Sequence, residues 1–230
     1  MINKLEFLHC SIDGYDKPVK INDFLKDDTY RVCKIYSTED AARYLGINID
    51  QAKKIDPKLL SRYIKFAPLD KKYLARIYMD ANISMENLND LIENFLNSNA
   101  LIMMASHPVR KYLIDELKAC LSGGKISFKE YLSLKNTSNS DSGNNLSQNG
   151  VYLRKQSDVL EKVFIDLIAL LENKVCRDQL FLRSLLNDYK VNYKLFDLEH
   201  YPINIIPHRT NFIKRLTKKI RFTILRYLLN

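Results

Sequence analysis

Residues 73–88 read YLARIYMDANISMENL, and this stretch joins a strand-like apolar run to a polar triplet. An apolar run ends abruptly at Asp80-Ala81-Asn82 and gives way to a segment with helical spacing. In an extended chain residues two apart point to the same side, so Asp80 and Asn82 would hold two oxygen atoms over one point. Hard divalent cations take oxygen ligands and keep waters or phosphates as the others. Asp and Asn also end strands and begin turns in many proteins, so the triplet alone leaves both interpretations open.

Strand-like apolar runs alternate with segments of helical periodicity along most of the chain. The predicted strands are 5–12, 30–37, 74–80, 100–107, 149–155 and 191–198, and the predicted helices are 37–45, 84–96, 108–121, 158–173 and 177–190. Such alternation predicts a single α/β domain with a mostly parallel central sheet. Ligands of these folds bind at the carboxyl ends of the strands, where Gly14-Tyr15-Asp16, Asp80-Ala81-Asn82 and Ser106-His107 are expected.

Composition favours a globular protein with no predicted membrane span. The chain has 230 residues, enough for a full core, and no run of eighteen apolar residues. Its first residues contain no small-residue cleavage site, and its four cysteines are widely spaced. We therefore expect a cytoplasmic protein with reduced thiols, without zinc sites or disulfides.

The net charge of +9 is concentrated in residues 209–230, which we predict to form a basic amphipathic helix after a domain at 1–208. Seven cations and no acid occur there, which leaves +2 for the rest of the chain (9 − 7 = 2): Arg209, Lys214, Arg215, Lys218, Lys219, Arg221 and Arg226. Such a helix fits the anionic inner face of a membrane. It fits equally well as a helix packed on the domain. The polar residues 136–150 are predicted to form a loop.

Two basic residues, Arg62 and Lys65, are three apart and share a face if they lie on a helix. They could hold a diphosphate beside a metal, or form a solvated basic face. Arg177-Asp178-Gln179 precedes an apolar helix. Asp178 could cap that helix, or it could act as a general base for an incoming hydroxyl.

The histidines allow ligand and structural interpretations. His107 ends a predicted strand, with Arg110 and Glu116 on the following helix, and could bind an anion or a sugar or cap that helix. His200 and His208 could each complete a metal site or lie on the surface. There is no G-x-G-x-x-G, Walker, G-x-S-x-G or H-E-x-x-H motif, so dinucleotide, P-loop, hydrolase and zincin chemistry are unsupported.

Several short motifs, taken in order, resemble those of one known family. They are Gly14-Tyr15-Asp16, SRYIK (61–65), YMDAN (78–82), SHPVRKYLIDE (106–116), NGVYLR (149–154) and CRDQLF (176–181). The family that they resemble is glycosyltransferase-like, is shared by plant pectin and mucilage proteins and bacterial polysaccharide clusters, and was long catalogued as a domain of unknown function. The resemblance covers roughly residues 5 to 190. That family is similar to the GT-A nucleotide-sugar transferases.

The resemblance implies a GT-A-like fold and a metal-dependent transfer of a sugar from a nucleotide sugar to a glycan or lipid-linked acceptor. The bacterial context implies surface polysaccharide, such as lipopolysaccharide or capsule. Asp80 and Asn82 would hold Mn²⁺ or Mg²⁺, with His208 as a third ligand. The other implied contacts are Tyr15, Asp16, Arg62 and Lys65 for the donor, His107, Arg110, Glu116 and Arg154 for the sugar or acceptor, and Arg177, Asp178 and Gln179 at the reacting centre.

The chain departs from the family in having no tryptophan, so an aromatic platform for the acceptor sugar is in doubt. Two alternatives stay open. One is a non-catalytic family member that acts as an assembly partner. The other is a basic nucleic-acid-binding protein, which is disfavoured because the cations are confined to one terminal segment. Inversion or retention at the sugar carbon does not follow from the sequence.

Overall fold

The protein was analysed as a computed structural model, which describes residues 4–12, 18–19, 29–110, 112–138, 146–173 and 177–206. Within these ranges the chain forms two compact units. The described residues up to Pro108 and those from Ser147 onward form the first unit, and those between Val109 and Leu146 form the second. Tyr15, Asp16, His208 and the basic segment 209–230 lie outside the described residues.

The first unit contains strands and helices in alternation. Its strands are β1 (Lys4–Cys10), β2 (Tyr30–Ile35), β3 (Tyr73–Asp80), β4 (Ile83–Met85), β5 (Ile102–Ser106), β6 (Ser147–Lys155), β7 (Tyr193–Phe196) and β8 (Ile203–Ile205). Its helices are α1 (Thr38–Leu45), α2 (Ile49–Ala52), α3 (Pro57–Lys65), α4 (Leu88–Asn97), α7 (Asp158–Asn173) and α8 (Leu182–Asp188), with a short 3₁₀ helix at Asp178–Leu180. The six sequence-predicted strands are confirmed.

Six of these strands form one sheet in the order β2-β1-β3-β6-β5-β7. The pairs β1–β2, β1–β3 and β5–β7 are parallel, whereas β6 runs antiparallel to both β3 and β5. The predicted mostly parallel α/β sheet is therefore confirmed, with one reversed strand in its middle. Because β6 is reversed, its first residues lie beside the carboxyl end of β3.

The two faces of the sheet carry different cores. On one face the side chains of Phe7, Ile77, Met79 and Val151 pack with the apolar stripe of α4. On the other face lie the rings of Tyr78 and Tyr152, whose centroids are 5.2 Å apart and nearly parallel. Burial of such rings and aliphatic chains is the main stabilising contribution in a domain of this size.

A row of charged residues crosses the second face farther from the carboxyl end of β3. Arg31, Glu6, Arg76 and Arg154 share one register level across β2, β1, β3 and β6. The Arg76 Nε lies 2.6 Å from Glu6 Oε2, and both side chains are buried. Buried charges require such partners because an unpaired ion loses its hydration.

Two short elements differ from the sequence prediction. Ser84 and Met85 were predicted at the start of a helix, but they belong to β4, which pairs antiparallel with β8. The helix begins at Leu88, because the β4–β8 backbone bonds hold Ile83–Met85 extended and Asn87 is in the left-handed region.

In the second unit, α5 (Leu113–Ser122) begins later than predicted and α6 (Phe128–Ser138) was not predicted. The predicted loop at 136–150 is therefore shorter: α6 reaches Ser138 and β6 begins at Ser147.

Candidate functional site

The Asp80-Ala81-Asn82 triplet lies at the carboxyl end of β3, as the sequence predicted. Ala81 and Asn82 form a turn into β4 rather than an extended chain, so the two-residue periodicity of a strand does not apply to Asn82. The turn is held on both sides. The Ala81 N–H donates to the Cys10 carbonyl at 2.9 Å, and the Ala81 carbonyl accepts from the Val19 N–H at 2.8 Å.

Asn82 is buried, and its hydrogen bonds connect this turn to Ile206, the residue that follows β8. Its side-chain Nδ2 donates to the Ile206 carbonyl at 3.0 Å, and its own carbonyl accepts from the Ile206 N–H at 2.9 Å. An amide that commits its NH₂ group in this way keeps its Oδ1 as an acceptor.

Asp80 is partly buried, and its carboxylate has two different surroundings. The Tyr78 hydroxyl donates to Asp80 Oδ1 at 2.6 Å. On the other side, a Cβ placed on Gly150 would lie 3.2 Å from Asp80 Oδ2 and 2.6 Å from the Cδ1 of Ile83. Gly150 therefore provides the space beside the carboxylate that any other residue would fill.

The donor set at this turn fits a hard divalent cation. Asp80 supplies a partly exposed carboxylate and Asn82 an amide oxygen, and Mg²⁺ sites commonly use one or two protein oxygens with waters and substrate phosphates. Among the described residues, no three His, Cys, Asp or Glu side chains cluster as a metal site. The Asp80–Asn82 pair would thus hold a shared cation rather than form a closed protein cage, and His208 stays a predicted ligand.

A second cluster brings together three predicted residues from distant parts of the chain. Asp178 is the first residue of the 3₁₀ helix, and its carboxylate contacts two cations of α3. Its Oδ1 is 3.0 Å from Arg62 Nε, and its Oδ2 is 3.0 Å from Lys65 Nζ. Lys65 and Asp178 are both almost fully buried. Burial alone would raise the pKa of Asp178, but the charges of Arg62 and Lys65 outweigh it and hold the pKa well below its ordinary value.

This arrangement bears on the predicted general base. A carboxylate with a strongly lowered pKa has little affinity for a proton, and both Asp178 oxygens face cations. The observed contacts instead fit a residue that holds Arg62 and Lys65 in place. The sequence suggested neither this pairing nor the burial of Lys65.

Buried polar groups surround the ion cluster. Lys65 Nζ also donates to the Asn149 carbonyl, and the Ser147 hydroxyl donates to Asn149 Oδ1 at 2.8 Å. Gln179 Nε2 donates to the Ser147 carbonyl at 3.2 Å, and Arg177 Nη2 donates to Gln179 Oε1 at 3.4 Å. The 3₁₀ helix is thereby tied to the first residues of β6. Sequence reasoning missed Ser147 and Asn149, although the predicted strand at 149–155 placed them near a strand end.

The ion cluster and Asp80 are connected through Tyr78. Lys65 Nζ lies 4.8 Å from the centroid of the Tyr78 ring, whose hydroxyl binds Asp80. Cys10, the register partner of Asp80 on β1, is buried beside them, and burial together with the Asp80 charge raises the pKa of its thiol to about 12. The thiol therefore stays neutral at this edge of the sheet.

The predicted sugar and acceptor residues are distributed over both units, and Arg154 lies on the sheet of the first. Arg154 has no exposed surface, lies in the charged row with Arg76, and places its Nη2 2.8 Å from Glu161 Oε1. Because Arg154 is buried and paired on the sheet, its role is structural. It does not lie at the carboxyl end of β3 with the candidate site residues. The Arg110 Nε lies 2.5 Å from the buried Glu116 Oε2 in the second unit, and His107 follows β5 in the first.

A cavity of about 370 Å³ lies among the described residues of the first unit, away from Asp80. Its lining includes Glu6, Tyr44 and Arg76, which belong to the charged row and its surroundings. The predicted site residues do not line it. The candidate site therefore comprises the ion cluster and the β3 end, and this cavity is separate from it.

Known proteins offer only distant similarities. No protein-family model matches the chain, and no curated protein matches it. The structure is similar to mouse xyloside xylosyltransferase 1 in its apo form, with 13% identity, a TM-score of 0.44, and coverage of 74% of this chain and 63% of that one. It is also similar to the apo WbbM bifunctional glycosyltransferase, with 12% identity, a TM-score of 0.49, and coverage of 86% of this chain and 39% of that one.

Both similar structures are glycosyltransferases. The chain spans 63% and 39% of their respective lengths. Both TM-scores are below 0.5, so neither similarity assigns a function to this chain.

Proposed function

We propose that the protein is a metal-dependent glycosyltransferase of GT-A-like fold that binds the diphosphate of a nucleotide sugar at the carboxyl edge of its sheet. One observation chiefly supports this function. Lys65 forms an ion pair with Asp178 and lies against the ring of Tyr78, whose hydroxyl donates to Asp80. The cations Arg62 and Lys65 and the carboxylate of Asp80 thus lie near the carboxyl end of β3.

Each group has a distinct task in the proposed reaction. Asp80 and Asn82 would hold Mn²⁺ or Mg²⁺, which neutralises charge on the leaving nucleoside diphosphate when bound. Arg62 is partly exposed and would reach the phosphates through its forked guanidinium. Lys65 is buried and would act as a fixed positive charge behind it.

Asp178 serves in this proposal to position the two cations. It balances their charge in the absence of a nucleotide and holds Arg62 and Lys65 where a diphosphate requires them. Gln179 and Arg177 continue the same segment and would border the sugar. Tyr15 and Asp16 near the nucleotide, and His107, Arg110 and Glu116 toward the sugar or acceptor, remain predictions of the resemblance.

The proposed substrates are a nucleotide-sugar donor and a glycan or lipid-linked acceptor. Bacterial members of the family that the sequence resembles occur in polysaccharide clusters, which favours a surface polysaccharide as the acceptor. The proposal includes no nucleic-acid ligand, because the body of the protein carries a net charge of only +2 (9 − 7 = 2) outside residues 209–230.

Thermal unfolding with ADP, CDP, GDP, UDP and common nucleotide sugars, each with and without Mn²⁺, tests the proposal directly. We expect one nucleotide class to raise the melting temperature only when Mn²⁺ is present, and Asp80→Ala to abolish this shift. Asp90→Ala, which removes an exposed carboxylate from α4, is the matched control and should keep it. The absence of any nucleotide shift in the folded wild type, or a normal shift in Asp80→Ala, would contradict the proposed function.

A further inference from the structure

Tyr78 occupies a position that packing alone does not explain. It is 1% exposed, two residues before Asp80 on β3, and its side chain lies on the same face of the sheet as that of Asp80. A phenol buried to this degree needs a partner for its hydroxyl, and the partner here is Asp80 Oδ1 at 2.6 Å. The bond therefore uses one oxygen of the carboxylate that we propose to hold the metal.

The Tyr78 ring is itself held rigidly. It stacks on the Tyr152 ring at 5.2 Å, and Tyr152 stacks on Phe66 at 6.1 Å between centroids. The Tyr152 hydroxyl donates to the carbonyl of Lys65. The aromatic stack thus connects the end of α3, which carries Lys65, with the end of β3, which carries Asp80.

One hydrogen bond orients the Asp80 carboxylate. The Tyr78 hydroxyl holds Oδ1, while the space beside Oδ2 stays open because Gly150 has no side chain. A carboxylate held in this way loses little rotational freedom when it binds a cation. For this reason, a residue that hydrogen-bonds to a metal ligand raises the affinity of that ligand for the metal.

We propose that Tyr78 is a positioning residue that orients Asp80 for a divalent cation shared with a nucleoside diphosphate. This inference rests on the proposed function, because it assigns Asp80 to that cation. Tyr78 acts through Asp80 and does not contact the cation itself. Its contribution should therefore appear in cation affinity more than in the stability of the fold.

The test is a Mn²⁺ titration followed by electron paramagnetic resonance of free Mn²⁺, with the nucleoside diphosphate that stabilises the wild type. Removing the hydroxyl in Tyr78→Phe should raise the dissociation constant for Mn²⁺ about ten- to a hundredfold. Tyr44→Phe is the control, since the Tyr44 hydroxyl lies 3.4 Å from Glu6 Oε1 in the charged row and not at Asp80. It should bind Mn²⁺ as the wild type does.

A second comparison separates positioning from structural damage. In an Asp80→Asn background, adding Tyr78→Phe should change Mn²⁺ affinity no further, because Tyr78 acts through that carboxylate. An unchanged Mn²⁺ affinity in Tyr78→Phe would overturn the inference and leave the proposed function standing. Failure of the wild type to bind Mn²⁺ with any nucleoside diphosphate would instead overturn the proposed function. A Tyr78→Phe protein that loses Mn²⁺ affinity only as much as Tyr44→Phe would also overturn the inference.

Discussion

Lys65 shows how one residue can serve both the fold and the proposed site. Its ammonium group is almost fully buried, and three different partners surround it: the Asp178 carboxylate, the Asn149 carbonyl and the face of the Tyr78 ring. A buried ammonium costs several kcal/mol in lost hydration unless such partners replace the water. The chain therefore holds this ammonium group against the Tyr78 ring, whose hydroxyl donates to Asp80.

Replacing Asp178 with Asn should destabilise the protein by about 3 kcal/mol, because Lys65 would be left buried without a countercharge. Urea unfolding measures this loss. Combining Asp178→Asn with Lys65→Met should cost clearly less than the sum of the two single changes. Asp70→Asn, which breaks an exposed ion pair with Lys72, is the control and should cause no measurable loss. Additive effects of the two buried substitutions would argue against their coupling.

At the scale of elements, the reversed strand β6 determines the shape of the candidate site. Parallel neighbours would place their carboxyl ends beside Asp80, but β6 brings its first residues there. This end of β6 includes Asn149, whose carbonyl binds Lys65, and Gly150, which leaves room for Asp80 and Ile83. Its pairing with β5 is irregular between Met104 and Ala105, so the strand is locally distorted at this point.

Gly150→Ala should displace the Asp80 carboxylate and weaken Mn²⁺-dependent nucleotide binding at least tenfold. Overpacking of this kind destabilises a fold by roughly 1–3 kcal/mol. The added methyl group would lie 2.6 Å from the Cδ1 of Ile83 and 3.2 Å from Asp80 Oδ2. The measurement is a nucleotide titration at fixed Mn²⁺, together with the melting temperature.

The double variant Gly150→Ala/Ile83→Val separates the two contacts, because Val lacks the Cδ1 atom. It should recover part of the lost stability while nucleotide binding stays weak. Full recovery of binding in this double variant would show that Ile83, and not Asp80, carries the effect.

At the scale of the whole molecule, charge is distributed unevenly. Seven of the cations behind the net charge of +9 occur in residues 209–230, outside the described structure. In the described part of the chain, no helix is long and apolar enough to cross a membrane. We propose, from the charge of residues 209–230, that this basic segment attaches the protein peripherally to an anionic membrane surface that carries a lipid-linked acceptor.

Truncation at Arg209 should abolish co-sedimentation with anionic vesicles, since each cation near such a surface contributes on the order of 1 kcal/mol. Vesicles of neutral lipid are the control and should bind neither protein. Binding of the full chain should also fall with added salt. Equal sedimentation of the truncated and full chains would contradict the membrane proposal. A lowered melting temperature without any change in sedimentation would favour a helix packed on the domain instead.

Local patterns in the sequence predict the alternation of strands and helices and the position of Asp80 at a strand end. These follow from local periodicity and from turn-forming residues, which act over a few neighbours. The three-residue spacing of Arg62 and Lys65 places them on one face only if they are helical, and the structure supplies that helix as α3. Long-range packing establishes instead that Asp178 pairs with both of them, that β6 is reversed, that Asn82 lies in a turn, and that the buried Arg154 pairs with Glu161. Such features depend on which distant segments pack together and on which charges lose their water, and no local pattern in the chain encodes that choice.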